Sequence, residues 1–160
     1  MKRIGFGQVE PNHLSAQRTG QIYAQLPAEA SIEVLENGQF VKYDYASGEV
    51  NFDGEGEFML VLNEVKLYDE RETYKDFAMK KANYVGGVIV PRVFKTNVGD
   101  IYTTNMVDSE IDMVAGTTEL APGTDGVLTT AGQDAEMIWK VVKVYTMADG
   151  QAAVKLQRIK

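Results

Sequence analysis

Side chains suited to catalysis are scarce in this sequence. His13 is the single histidine, and the residues around it lack the serine and aspartate pattern of a catalytic triad. Cysteine is absent, which excludes disulfides, thiolate metal ligands and cysteine nucleophiles. With one histidine and no cysteine, only carboxylates remain as metal ligands, so a zinc site is not expected. We therefore predict no catalytic residues, no metal and no cofactor.

Two acidic triplets have a spacing that places three carboxylates on one side of an extended chain. The triplets are Asp53, Glu55 and Glu57, and Asp108, Glu110 and Asp112. Oxygen ligands of this kind bind hard cations such as Ca²⁺, but neither triplet matches the twelve-residue calcium loop. We interpret both as exposed acidic turns. A glycosidase needs only two suitably spaced acids, so a hydrolase is kept as the least favoured function.

Tyr43 and Tyr45 alternate with Lys42 and Asp44. Such a strip can stack on sugars or bases. A strand with tyrosines on its half-buried face explains the same pattern, and both interpretations stay open.

Alternation of apolar and polar residues around glycine turns is the main pattern in the chain, and it is clearest between residues 35 and 65. Such a pattern predicts β-strands with tight turns. Strands are predicted at about 31–36, 39–45, 49–52, 57–67, 88–90, 92–95, 100–107, 126–129, 136–147 and 151–159. Trp139, Val141 and Tyr145 share one face of the penultimate strand while Val142 and Val144 share the other, so we predict that the C-terminal hairpin is core.

One segment departs from the strand pattern. Asp69 with Glu72 forms a capping-box-like pair, apolar residues follow at helical spacing, and Gly86-Gly87 ends the segment. The sequence therefore predicts a short helix near 69–83. A faint echo between 36–43 and 97–104, each with a turn glycine before a β-rich run, is consistent with two similar β units or with coincidence.

These elements predict a mainly β fold, a β-barrel or β-sandwich with one short helix and an extended N-terminal arm. Residues 1–30 are polar and weakly periodic, and we assign them to the arm. Residues 31–160 form a single β domain with the helical insertion near 69–83.

Charge and hydropathy narrow the choice of partners. The net charge is −7, which argues against nucleic acid as the main partner. No apolar run reaches the roughly 18 residues of a membrane span. The N-terminus starts like a signal peptide, but Gln8, Glu10 and Asn12 interrupt it, so we expect synthesis in the cytoplasm without secretion.

The segments LENGQFVKYDYASGEVNFDGEGEFMLVLNEVKLYDERE and PRVFKTNVGDIYTTNMV resemble the small structural virion proteins of tailed bacteriophages. Within these, the chain is most similar to capsid decoration proteins, also called auxiliary or cement proteins. The likeness covers residues 31–160 and rests on overall texture. It implies a virion location and a non-enzymatic protein that binds assembled capsids and bridges major capsid subunits, with self-association also open.

The resemblance gives no catalytic residues to carry over, so capsid contacts are predicted from the arm and from the basic segment between Lys66 and Lys95. The predicted contact residues are Arg3, Phe6, Arg18, Ile22, Tyr23, Leu26, Tyr74, Lys80 and Lys81. Two alternatives remain: a phage tail or head–tail connector subunit, and a carbohydrate- or receptor-binding β module that uses Tyr43 and Tyr45.

Overall fold

Strands and turns dominate the structure, a computed structural model that describes residues 7–9, 22–63, 78–147 and 150–160. Within these residues there are twelve strands and a single 3-10 turn, Lys81–Asn83. The strands are β1 Ile22–Gln25, β2 Val34–Leu35, β3 Phe40–Asp44, β4 Glu49–Asn51, β5 Met59–Val61, β6 Met79–Lys80, β7 Arg92–Phe94, β8 Ile101–Thr104, β9 Glu119–Pro122, β10 Leu128–Thr130, β11 Trp139–Thr146 and β12 Ala152–Arg158. The predicted mainly β fold class is confirmed.

The strands form two five-stranded sheets with the same topology. The first has the order β1-β7-β5-β3-β4 and the second has the order β8-β12-β11-β9-β10. If the strands of each sheet are numbered along the chain, both orders are 1-5-4-2-3. We call residues 22–94 the first unit and residues 101–158 the second unit. A small β2–β6 ladder belongs to the first unit.

Each sheet is curled toward a barrel by a parallel bridge between its two end strands. In the first unit Ala28, just after β1, pairs with Val50 of β4. In the second unit Val107, just after β8, pairs with Leu128 of β10. Because these single bridges join opposite edges of each sheet, both sheets are curled in the direction of a closed β-barrel.

Over their first halves, the two units place their strands and bridges at equivalent positions along the chain. β1 and β8 begin with the same dipeptide, Ile-Tyr, at 22 and at 101. The bridging residues, Ala28 and Val107, follow that isoleucine at the same distance along the chain. The structure therefore aligns residues 22–44 with 101–123. The two β units suggested by the sequence echo are present, but the register of that echo, 36–43 with 97–104, is wrong.

The two sheets pack face to face and share apolar residues. The inner face of the first sheet, which includes Val41, Met59 and Val93, lies in one core cluster with Ile89. Its outer face carries Phe40, Leu60 and Phe94, and these residues belong to the cluster inside the second sheet. The cluster inside the second sheet is therefore completed by residues of the first unit.

Aromatic rings form the centre of this shared cluster. The ring centroids of Phe40 and Trp139 are 5.9 Å apart, and those of Tyr102 and Trp139 are 4.7 Å apart with nearly perpendicular planes. The backbone N–H of Phe40 also donates to the carbonyl of Gly126, at 2.8 Å, which ties β3 to the turn before β10. Edge-to-face aromatic pairs of this kind stabilise a core beyond their area burial.

The structure corrects several predicted elements. Val88–Val90 is not a strand; β7 begins after Pro91, and the carbonyl of Ile89 accepts a hydrogen bond from Ala28 instead. β9 was not predicted, because Glu119–Pro122 contains neither β-branched nor aromatic residues. Within the predicted helix near 69–83, residues 79–83 form β6 and the 3-10 turn, because Met79 and Lys80 pair with β2. The rest of that helix prediction lies largely outside the described residues.

The boundary predicted between arm and domain at residue 30 also differs from the structure. β1 pairs with β7 as an integral strand of the first sheet, and Ala28 is buried. Residues 22–30 thus belong to the β fold, since their backbone groups complete the edge of β7.

Candidate functional site

The predicted contact residues lie in different environments. Leu26 is half-buried against the core of the first unit, so its side chain stabilises the fold. Ile22 and Tyr23 lie in β1, the edge strand of the first sheet. Arg3, Phe6, Arg18 and Tyr74, together with His13, lie outside the described residues.

The two predicted lysines lie at the β2–β6 ladder of the first unit. Lys80 pairs in register with Val34. The Nζ of Lys81 donates to the carbonyl of Ala30 at 2.6 Å and lies 3.2 Å from a carboxylate oxygen of Glu33. Lys81 is therefore engaged with its own domain, and it fixes the loop that follows Ala28.

Residues 7–9, the first described segment of the predicted arm, are bound between the two units. The backbone N–H of Gly7 donates to the Glu36 carboxylate in the first unit. The backbone N–H of Gln8 donates to the side-chain oxygen of Asn105 in the second unit. Val9 pairs with Thr104 and is buried. These three residues act as a clamp between the units.

Four valines on the first unit are exposed and form what we call the ladder valines. They lie on β2 and on the loop that follows the 3-10 turn: Val34, Val85, Val88 and Val90. Val85 stands between the 3-10 turn and Gly86-Gly87, whose positive φ angles turn the chain. Exposed apolar side chains are typical of interaction surfaces where they form a contiguous patch.

Two further valines on the second unit, the hairpin valines, correct the prediction that both faces of the C-terminal hairpin are buried. Val142 is 44% exposed and Val144 is 49% exposed. β9 pairs with β11 only at Trp139 and Lys140, so β11 extends past its neighbour. The sequence pattern could not show this, because it does not reveal how far the adjacent strand reaches.

One carboxylate of each acidic triplet has a local partner within the chain. Glu57 is 2.7 Å from Lys95, and Asp108 accepts the N–H of Glu110 at 3.0 Å in a local turn. Among the described residues, no three His, Cys, Asp or Glu side chains come together as metal ligands. A cleft of about 570 Å³ lies beside Asp108 and Asp125.

Tyr43 and Tyr45 do come together. Their ring centroids are 5.1 Å apart in an edge-to-face arrangement, Tyr43 packs against the first core, and Tyr45 is 67% exposed. Asp44 between them accepts the Ala46 N–H at 2.8 Å, and this hydrogen bond, with one from Ser47, lowers the pKa of the Asp44 carboxyl. Hydrogen bonds within the turn therefore hold the Asp44 carboxylate in place.

Several polar side chains that could do chemistry serve to hold the chain instead. The Asn37 amide accepts the N–H of Asn63 and donates to its carbonyl, so it replaces a backbone partner. The Arg158 guanidinium donates to the carbonyl and hydroxyl of Thr96, and burial lowers its pKa against the opposing effect of Glu57 and Asp100. These side chains are structural clamps.

The core contains one ionisable side chain with a strongly shifted pKa. Tyr102 is fully buried, which raises the pKa of its hydroxyl well above the usual value. Neither its hydroxyl nor the indole N–H of Trp139 has a hydrogen-bond partner among the described residues. Both groups face the aromatic cluster.

No helix among the described residues is long and apolar enough to cross a membrane. No protein-family model matches the chain, and neither a curated protein nor a solved structure shows significant similarity to it.

Proposed function

We propose that this protein is a structural, non-enzymatic virion protein of a tailed bacteriophage. It binds the outside of an assembled capsid and stabilises contacts between major capsid subunits. It is made in the host cytoplasm and ends on the virion surface. Neither nucleic acid, membrane nor cofactor takes part.

The observation that carries this proposal is the presence of an exposed apolar group on each of the two units. The ladder valines lie on the first unit and the hairpin valines lie on the second unit. A protein that holds neighbouring subunits together needs two separate contact surfaces on one body. The shared core and the clamp of residues 7–9 join the two units, so a contact on one is mechanically linked to the other.

The energetics of such a role are those of linkage. A ligand that binds only the assembled shell stabilises that shell by its binding free energy. Many copies act on one particle, so each contact need only be modest.

The test uses empty heads assembled from the major capsid protein of the same phage. Purified protein should co-sediment with the heads and raise their melting temperature. The variant Val88→Ser/Val90→Ser should bind more weakly, whereas Val98→Ser, an exposed valine in the turn before β8, should bind normally. Failure of the wild-type protein to bind heads would refute the proposal, and its location in a virion map would separate decoration from a tail or connector role.

A second candidate function rests on Tyr43 and Tyr45. An exposed ring held by an edge-to-face neighbour is suited to stacking on a sugar. A carbohydrate-binding module would give a glycan-array signal that Tyr45→Ala abolishes without loss of stability, because most of the Tyr45 side chain lies in solvent.

A further inference from the structure

A second cleft lies at the junction of the two units, and we call it the junction cleft. Its volume is about 400 Å³, which is within the range of clefts that hold small ligands. Phe58, just before β5, lines it from the first unit. The rest of its wall comes from the second unit, from β9, β10 and the loop that follows β10. A ligand in this cleft therefore contacts both units.

The wall of the junction cleft has an apolar part and a polar part. Phe58, Pro122 and Met137 belong to the apolar part, and Phe58 packs against the core cluster of the second sheet. The polar part includes four side chains without a hydrogen bond to any residue that the structure describes: Thr129, Thr130, Gln133 and Asp134. The donors and acceptors of these side chains are available to a ligand.

An ion pair between the units holds the Phe58 side of the junction cleft in place. The Nζ of Lys42, in β3, lies 2.9 Å from a carboxylate oxygen of Glu136 and 4.6 Å from the centre of the Phe58 ring. Glu136 lines the cleft from the second unit, so the ion pair neutralises one of its two carboxylates and leaves that of Asp134 unpaired among the described residues. A wall that is fixed before binding reduces the entropy lost when a ligand binds.

The larger cleft beside Asp108 and Asp125 has a different wall. Its two carboxylates accept backbone N–H groups of their own turns, from Glu110 at 3.0 Å and from Val127 at 3.0 Å. Among the described residues that line it, none is aromatic. The junction cleft therefore combines an aromatic side chain with an unengaged carboxylate and amide, and the larger cleft does not.

We infer that the junction cleft binds a neutral hexose. The C–H groups of a sugar ring pack against the apolar part of the wall, and sugar hydroxyls, which both donate and accept, pair with the hydroxyls, amide and carboxylate of the polar part. An anionic ligand is disfavoured by the unpaired Asp134 carboxylate. Neither Tyr43 nor Tyr45 lines this cleft, so the site differs from that of the second candidate function. The inference does not depend on the proposed capsid role.

The test records two-dimensional amide NMR spectra of the full-length protein during titration with glucose, galactose, mannose and N-acetylglucosamine. At least one of these sugars should shift the amide signals of residues 129–137, with a dissociation constant in the millimolar range. Gln133→Ala/Asp134→Ala, at two exposed positions, should weaken that binding about tenfold, because two hydrogen bonds to the sugar are lost. Asp112→Ala removes the same charge outside both clefts and should bind as the wild type does.

The outcomes separate this inference from both candidate functions. No shift with any of the four sugars overturns the inference and leaves the capsid role untouched, because the titration contains no capsid. Equal sugar binding by the wild type and Gln133→Ala/Asp134→Ala also overturns it. Shifts that Tyr45→Ala abolishes would place the sugar at Tyr43 and Tyr45 instead. Tighter binding of spermidine than of any sugar in the cleft would overturn the choice of a neutral ligand.

Discussion

The two units share one topology but complete their cores in different ways. The first unit is filled by its own segments outside the five-stranded sheet, which supply Ile32, Leu35, Met79 and Ile89 to its core cluster. In the second unit, Met147, Gly150 and Gln151 are the described residues of the connection between β11 and β12, and none of them belongs to the second cluster. Instead, the outer face of the first sheet supplies Phe40, Leu60 and Phe94 to that cluster.

This difference shows how two units with the same topology can form a single cooperatively folded domain. Strand order is the same in both units, so the order of backbone pairing alone does not distinguish them. What differs is the source of the apolar side chains that cover the inner face of each sheet. Burial of such apolar surface is the main driving force of folding. The second unit is therefore expected to depend on the first.

The largest expected effect comes from separating the units. A fragment of residues 98–160 should fail to fold, because its sheet would expose the apolar face that the first unit covers. Far-UV circular dichroism and the fluorescence of Trp139, the single tryptophan, should show an unfolded chain. Cooperative thermal unfolding of this fragment would contradict the proposed dependence.

The substitution Phe40→Ala tests the same dependence of the second unit on the first at a single side chain. Phe40 is fully buried against Tyr102 and Trp139, so truncation should lower the free energy of unfolding by about 3–5 kcal/mol. Urea unfolding measures the loss, and the Trp139 emission should shift to longer wavelength. Phe52→Ala, at a half-buried position beside the first core, is the control and should cost less without changing that emission.

The sequence predicted the fold class and most strands because alternation and glycine turns are local signals. Turns such as Asn37-Gly38 and Ser47-Gly48 flank real strands, and both glycines have positive φ. The β9 strand and the bridges at Ala28 and Val107 depend on distant partners, which leave no local pattern. The repeat did leave a signal, Ile-Tyr at 22 and at 101, but two identical residues in a β-rich chain stand out only once the topology is known.

The candidate contact surfaces were less predictable than the fold. Lys80 and Lys81 were chosen for charge, yet Lys81 is bound within its own domain. The exposure of Val142 and Val144 reflects the short reach of β9 beside β11, which the sequence does not show. Exposure and cross-strand pairing are properties of the assembled sheet, so residue type alone does not reveal them.

A smaller effect tests the clamp between the units. A Cβ on Gly7 would overlap the Met106 side chain and lie 2.7 Å from the Asn37 carbonyl oxygen, so Gly7→Ala must displace residues on both units. Overpacking of this kind costs about 1–3 kcal/mol, measurable by urea unfolding. Gly132→Ala, whose Cβ would meet open space, is the matched control and should be close to neutral. An equally neutral Gly7→Ala would show that the clamp contributes little.

The smallest expected effect at neutral pH is that of Tyr102→Phe. The buried hydroxyl has no partner among the described residues, so its removal should leave stability unchanged or raise it by about 1 kcal/mol. Above pH 10 the wild type behaves differently. Its unfolded chain loses the Tyr102 proton while the folded chain keeps it, because burial raises the pKa of Tyr102 well above 10.

The folded state then binds more protons than the unfolded state, so wild-type stability should fall by about 1.4 kcal/mol per pH unit above pH 10 from this residue alone. Tyr102→Phe should lack that component. The measurement is urea unfolding of both proteins between pH 8 and pH 11. If the free energy of unfolding changed with pH in parallel for the wild type and Tyr102→Phe, the Tyr102 hydroxyl would not be held in an apolar core. The cluster shared by the two units would then not exclude water at Tyr102.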